Sequence, residues 1–270
     1  MGKRVSIFGC GVQKGGTTSL HAYFCEHPEL SPPSRKETHF FDDETLHWLA
    51  PDYAKLDAFY APDDGDRLRF DVTPIYAFWP PSLARIRAYN PDARLIFLFR
   101  DPIERAFSNW RMEISRGVES LSFASAIREG RDRLRGLAPL DRLRADFSYL
   151  ERGLYGAQAR NALAHFPRQQ MLFLRSEDLL RDHAATLSKI AEFLRISPFP
   201  NGAPKREHEG GRVEGPLLPT IADRALMRAF FAKDLAEFSR LTGVDTSGWL
   251  QDEPTPKAPP SLWRRWLRGP

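Results

Sequence analysis

The apolar residues of this chain alternate between short dense runs and longer periodic stretches. Val5-Ser6-Ile7-Phe8 opens the series as a strand, and Leu20, Phe24 and Leu30 follow at helical spacing. Leu46, Leu49, Tyr53, Leu56 and Tyr60 predict a helix over 45–60. Arg67-Leu68-Arg69-Phe70-Asp71-Val72 alternates like a strand and breaks at Thr73-Pro74, and a proline-opened helix is expected from Pro80 to Tyr89. Arg94-Leu95-Ile96-Phe97-Leu98-Phe99 is nearly continuous, the signature of a central parallel strand covered on both faces. Asp101 and Pro102 suit the N-cap and first turn of the next helix. Further on come a helix from Gly153 to about Phe166, a strand at Met171-Leu172-Phe173-Leu174, a helix over 183–195, a long Gly/Pro loop over 196–219 carrying Lys205, Arg206, His208 and Arg212, and a helix over 219–242. Strand and helix in alternation predict an α/β fold, a central parallel sheet flanked by helices. No linker divides the chain, so one domain is expected over 1–250, followed by a flexible Pro-rich basic tail over 251–270.

Two regions depart from the alternation. Residues 111–150 read as helical excursions outside the sheet. Six arginines (Arg128, Arg131, Arg133, Arg135, Arg142 and Arg144) crowd residues 128–144, which read either as a lid over an acceptor site or as a solvated basic face. The tail ends in Leu262-Trp263-Arg264-Arg265-Trp266-Leu267-Arg268, suited to packing, disorder or contact with a membrane surface.

Composition adds exclusions. The 270 residues are 42% hydrophobic and 27% charged, ordinary for a globular protein. The formal net charge of +4 equals the charge of residues 257–270 alone, so the domain gives no argument for a nucleic-acid partner. No apolar run approaches the ~20 residues that span a bilayer, and no signal peptide is visible. Two cysteines, Cys10 and Cys25, fit a reducing cytoplasm, and no metal-ligand spacing is seen. The oligomeric state stays open.

The chemistry gathers at Gly11-Val12-Gln13-Lys14-Gly15-Gly16-Thr17-Thr18-Ser19. Strand, glycine loop and helix start form an arrangement that holds phosphate on backbone N–H groups and the helix dipole, with hydroxyl donors from Thr17, Thr18 and Ser19. A Walker A loop carries its lysine after the last glycine, whereas Lys14 precedes Gly15-Gly16. In Lys36-Glu37-Thr38-His39-Phe40-Phe41-Asp42, titratable groups surround two aromatics, either a general base with its orienting partners or an anchored surface loop. Arg100 ends the central strand and Ser108 lies eight residues on, forming either a second phosphate clamp or a structural ion pair.

Together these motifs resemble the sulfotransferases that use 3′-phosphoadenosine 5′-phosphosulfate (PAPS). Lys14–Ser19 is similar to their 5′-phosphosulfate loop and Arg100 with Ser108 to their 3′-phosphate motif. Lys36–Asp42 is similar to the Glu-x-His-Phe-Phe-Asp segment of the heparan sulfate sulfotransferase branch, 3-O-sulfotransferases included. The resemblance runs from about residue 5 to 250. It implies a P-loop-like sulfotransferase fold and, for a bacterial-type soluble enzyme, sulfuryl transfer from PAPS to a hydroxyl or amine of a small-molecule or saccharide-containing acceptor. It further implies Glu37 as base, Lys14 at the leaving oxygen, and His39 and Asp42 as orienting groups. Lys14, Gly15, Gly16, Thr17, Thr18, Ser19, Arg100, Ser108 and Arg212 are then expected to bind the donor, and Lys36, Asp42 and Asp71 the acceptor, with no metal required. Where the branch commonly has Glu-Lys-Thr-Pro, this chain has Asp71-Val72-Thr73-Pro74. The competing readings are a P-loop kinase or NTPase, and a non-catalytic nucleotide-binding protein on the same fold.

Overall fold

A computed structural model describes residues 3–200 and 218–251. Five strands, β1 (Val5–Gly11), β2 (Leu30–Ser31), β3 (Leu68–Val72), β4 (Arg94–Phe99) and β5 (Met171–Arg175), form one sheet in the order β2-β3-β1-β4-β5. Every neighbouring pair is parallel. The α-helices are α1 (Thr17–Glu26), α2 (Ala54–Asp57), α3 (Ser82–Tyr89), α4 (Pro102–Ser115), α5 (Phe123–Ile127), α6 (Leu143–Phe147), α7 (Tyr155–His165), α8 (Asp178–Arg181), α9 (His183–Leu194) and α10 (Ile221–Thr242). Among these described residues no helix is long and apolar enough to cross a membrane.

The period-2 geometry of β4 divides the core. Leu95, Phe97 and Phe99 face a cluster with Leu83 and Ile86 of α3, Tyr155 and Ala159 of α7, and Phe238 of α10. Ile96 and Leu98 face the opposite cluster, with Leu20 and Phe24 of α1 and Leu187 and Ile190 of α9. A sheet buried on both faces explains why β4 reads as an unbroken apolar run. A third cluster, with Ile103, Phe107, Trp110, Phe123, Tyr149 and Phe231, anchors the 111–150 excursion to α4 and α10.

The chain runs from β1 outward to β2, returns to β3 beside β1, and then crosses to β4 on the other side of β1. The loops after β1 and β4 therefore part at their carboxyl ends, the crevice where open α/β sheets bind ligands. The phosphate-type loop and Arg100 both lie at that switch point.

Two predicted helices differ. The first ends at Glu26, and Leu30 begins β2. The helix predicted over 45–60 shrinks to Ala54–Asp57, because Pro51 lacks the amide hydrogen and biases Ala50 away from helical dihedrals. Leu46, Trp48 and Tyr53 still pack against the core, whereas Leu49 is exposed.

Phe99 is buried, with its ring centroid 4.5 Å from that of Phe238 and 4.8 Å from that of Tyr155. Phe99→Ala is expected to cost about 3–5 kcal/mol, read as a lower denaturation midpoint at unchanged slope.

Candidate active site

Backbone constraints shape the loop after β1. The Val12 amide donates to the Leu98 carbonyl at 2.7 Å, tying the loop to β4. A Cβ at Gly15 would lie 2.6 Å from that same carbonyl and 2.8 Å from the Val12 carbonyl, so only glycine fits. Gly16 is the N-cap of α1 at φ 88° and supplies no side-chain cap, and the first turn of α1 holds no acid. The first-turn amides thus keep their donors and their positive dipole end for an anion. Thr17 and Ser19 are buried, and Thr18 is half-buried.

At the end of β4, Asp101 caps α4 by accepting from the Ile103 amide at 2.8 Å, and it accepts from the Leu250 amide at 2.9 Å. Arg100 lies 3.8 Å from Glu104, whose carboxylate also accepts from Arg224 at 2.6 Å. Because Glu104 is shared with Arg224, it holds Arg100 only loosely. Ser108 is half-buried on α4. Lys14 Nζ reaches 3.8 Å from Met112 Sδ on the same helix. Burial first, then the charges of Arg100, Arg116 and Lys36, lower the Lys14 pKa. The loop, the end of β4 and the Lys36 segment therefore face one crevice.

The 36–42 segment carries a continuous polar chain. Lys36 Nζ donates to Glu37 Oε1, and His39 Nε2 lies 3.5 Å from Glu37 Oε2. His39 Nδ1 bonds Asp42 Oδ2 at 3.0 Å, and Arg142 Nη1 donates to the same oxygen at 2.7 Å. Burial pushes the Glu37 pKa up, but the bonds from His39 and Lys36 outweigh it and hold the carboxyl at about 2. His39, bonded by Asp42 and then Glu37, is raised to about 9. At neutral pH the pair is a carboxylate facing an imidazolium.

Asp71 anchors this segment. Its carboxylate is fully buried and accepts from Thr38 Oγ1 at 2.6 Å, Thr73 Oγ1 at 2.8 Å and the Tyr76 hydroxyl at 2.8 Å. Burial raises its pKa despite these bonds. Thr38 sits between Glu37 and His39, whose φ values are 61° and 55°. Lys14, at φ 67°, shares that costly left-handed geometry.

The structure thus brings Lys14, Lys36, Glu37, His39 and Asp42 to the end of the sheet that also carries Arg100. It corrects one expectation: Asp71 is enclosed by Thr38, Thr73 and Tyr76 and holds the 36–42 segment instead of facing an acceptor. Asp42 is likewise buried and acts on His39. Arg212 and its loop partners Lys205, Arg206 and His208 lie outside the described residues, as does the 252–270 tail. The arginine-rich stretch is largely cross-linked, with Arg128 on Asp223, Arg131 on Glu151 and Arg133 on Glu119. Sequence reasoning missed the particular task of Arg142, because a charge run does not say which member reaches a buried carboxylate. It also missed Arg152, which donates to Gln13 Oε1.

A parallel sheet with a phosphate-type loop at its switch point and a paired carboxylate beside it defines a P-loop-like architecture. The sulfotransferase domain family matches residues 5–206, and the chain belongs to that family. Heparan sulfate glucosamine 3-O-sulfotransferase 3B1 of Mus musculus is 31% identical over 265 residues, covering 88% of this chain and 63% of that protein. Its Homo sapiens counterpart is 30% identical over 263 residues, again spanning 88% of this chain and 63% of the relative. The chain thus spans less than two thirds of these curated relatives. The crystal structure of a sulfotransferase from Alicyclobacillus acidocaldarius superposes with a TM-score of 0.75 at 27% identity, covering 93% of this chain and 100% of that one.

Asp42 is the largest cause of the raised His39 pKa. The Asp42→Asn variant is therefore predicted to show a His39 pKa below 9 by imidazole NMR titration. The sign is fixed: a group with a raised folded pKa stabilises the fold fully below its unfolded value near 6.5 and loses that contribution as pH rises through about 9. Glu37 behaves oppositely, its contribution being present above its unfolded value and lost as pH falls through about 2.

Proposed function

We propose that the protein transfers a sulfuryl group from PAPS to a hydroxyl or amine of a small-molecule or saccharide-containing acceptor, with Glu37 as general base. The observation that carries this reading is the meeting of the Lys14 loop and the Lys36–Glu37–His39–Asp42 chain in one crevice, close enough for Lys36 to perturb Lys14. Family membership supports the reaction class. The named activities of the 3-O-sulfotransferase relatives support a saccharide among the candidate acceptors.

The loop fits the donor. Gly15 and Gly16 leave the backbone open to a phosphate, and Thr17, Thr18 and Ser19 add hydroxyls beside the α1 amides. Arg100 and Ser108 are suited to the 3′-phosphate that distinguishes PAPS from ATP. PAPS supplies the sulfuryl group and a phosphate leaving group. Glu37 accepts the proton of the attacking hydroxyl or amine as the new bond to sulfur forms and the sulfur–oxygen bond to phosphate breaks. Lys14 compensates the charge that grows on the departing oxygen. His39, held protonated by Asp42, orients Glu37. In the resting chain Lys36 pairs with Glu37, and the base strengthens when Lys36 turns to a bound ligand. Neither Cys10, which is buried, nor Cys25, which is exposed, is in a disulfide, which supports a reducing, cytoplasmic setting.

A kinase reading needs a lysine after the last loop glycine, which this chain lacks. Glu37→Gln is expected to retain binding of 3′,5′-adenosine bisphosphate (PAP) by calorimetry and to lose about 10²–10⁴-fold in transfer of labelled sulfate from PAPS to fractionated host metabolites. Transfer at a near wild-type rate contradicts the assignment of the base.

A further inference from the structure

Arg152 is a buried cation with no carboxylate partner among the described residues. It lies between α6 and α7, is only 5% exposed, and its Nε is buried without a hydrogen-bond partner. Among the described residues no carboxylate lies within ion-pair distance of it, and its one side-chain partner is the neutral amide oxygen of Gln13. Arg105, also buried, and Arg142 repel it, while Glu113 and Asp146 attract it only from longer range. Burial and Arg105 draw its pKa down to about 9, leaving it protonated at neutral pH. Phe78 packs against the guanidinium, 5.1 Å from ring centroid to Cζ, and fixes its plane.

A buried, uncompensated guanidinium is costly. Its location says what offsets the cost. Gln13 immediately precedes Lys14 in the phosphate-type loop, and Phe78 follows β3 through the Thr73-Pro74 turn. Arg152 therefore stands behind the transfer centre, with a neutral amide held on a fork whose geometry matches an oxyanion. The guanidinium–amide bond is an ion–dipole contact, whereas an anion adds full opposite-charge attraction and bidentate geometry, so an anion reaching this point displaces the Gln13 amide favourably.

We infer that Arg152 is an oxyanion subsite for the sulfuryl group itself, contacting its non-bridging oxygens on the donor before transfer and on the sulfated product afterwards. The inference rests on the proposed sulfuryl-transfer function. It assigns Gln13 as the placeholder that occupies the fork while no anion is bound, and it involves binding alone, with no bond made or broken at Arg152.

The test compares PAPS with PAP, which lacks the sulfuryl group, on the full chain by calorimetry. Arg152→Gln is expected to lower the PAPS-to-PAP affinity ratio by about tenfold, the loss of a charge-assisted bond, with PAP affinity held within about twofold. A second arm titrates inorganic sulfate into the PAP complex as a stand-in for the product group. A lowered ratio alone assigns the contact to the donor, weakened sulfate binding alone assigns it to the product, and loss of both assigns it to both states. If neither moves, or if PAP binding falls as steeply as PAPS binding, Arg152 is a scaffold residue and the inference is overturned. Should Arg152→Gln fail to fold, Arg152→Lys keeps the charge but loses the fork, and a drop of about threefold in the same ratio is expected. Wild-type protein that binds no PAP overturns the proposed function, a result distinct from failure of the subsite.

Discussion

The active-site geometry depends on one buried carboxylate. Asp71 lies on β3 in register with Phe8 of β1, the strand that delivers the phosphate-type loop. Its bonds to Thr38, Thr73 and Tyr76 fasten an irregular segment to the most rigid part of the molecule. That segment carries Glu37 and His39 at unfavourable positive φ, a conformation that persists only where the surroundings over-determine it. Since β1 and β3 are adjacent, the carboxylate also sets the separation between Lys14 and Glu37. The stability of the sheet and the placement of Glu37 are thus joined through a single side chain.

Charge is distributed around this anchor in two ways. On one side every charge is paired in sequence, from Lys36 through Glu37, His39 and Asp42 to Arg142, so Glu37 is held as a carboxylate of low pKa. On the other side Lys14 and Arg152 have no close carboxylate among the described residues, and burial lowers the pKa of both. A site with satisfied groups beside Glu37 and under-satisfied cations beside the loop suits an anionic ligand that brings negative charge. It also accounts for the position of Lys14 before the glycines. From there the side chain reaches across to Met112 on α4, toward the crevice between the loop and the end of β4.

Much of this was legible in the chain. The unbroken β4 run, the Asp101-Pro102 helix start and the Lys14–Ser19 loop are local patterns with local causes, and they appear where the pattern predicts them. The predicted 45–60 helix failed because apolar spacing was weighed over Pro51, which forbids it. Asp71 looked like a ligand-facing acid because a strand residue's face cannot be assigned before the segment packed against it is known. Arg142 and Arg152 were invisible for the same reason: what distinguishes them is a contact across a hundred residues or more, to Asp42 and Gln13.

The central claim is that the two halves of the crevice form one site for a nucleotide bearing phosphates at both the 3′ and 5′ positions. Calorimetry of the full chain with PAP and with ATP, each with magnesium and with chelator, tests it most directly. The account predicts that PAP binds with the same affinity in chelator as in magnesium and at least about tenfold more tightly than ATP, since Arg100 and Ser108 have no 3′-phosphate to grip in ATP. Tighter binding of ATP, dependent on magnesium, would contradict it.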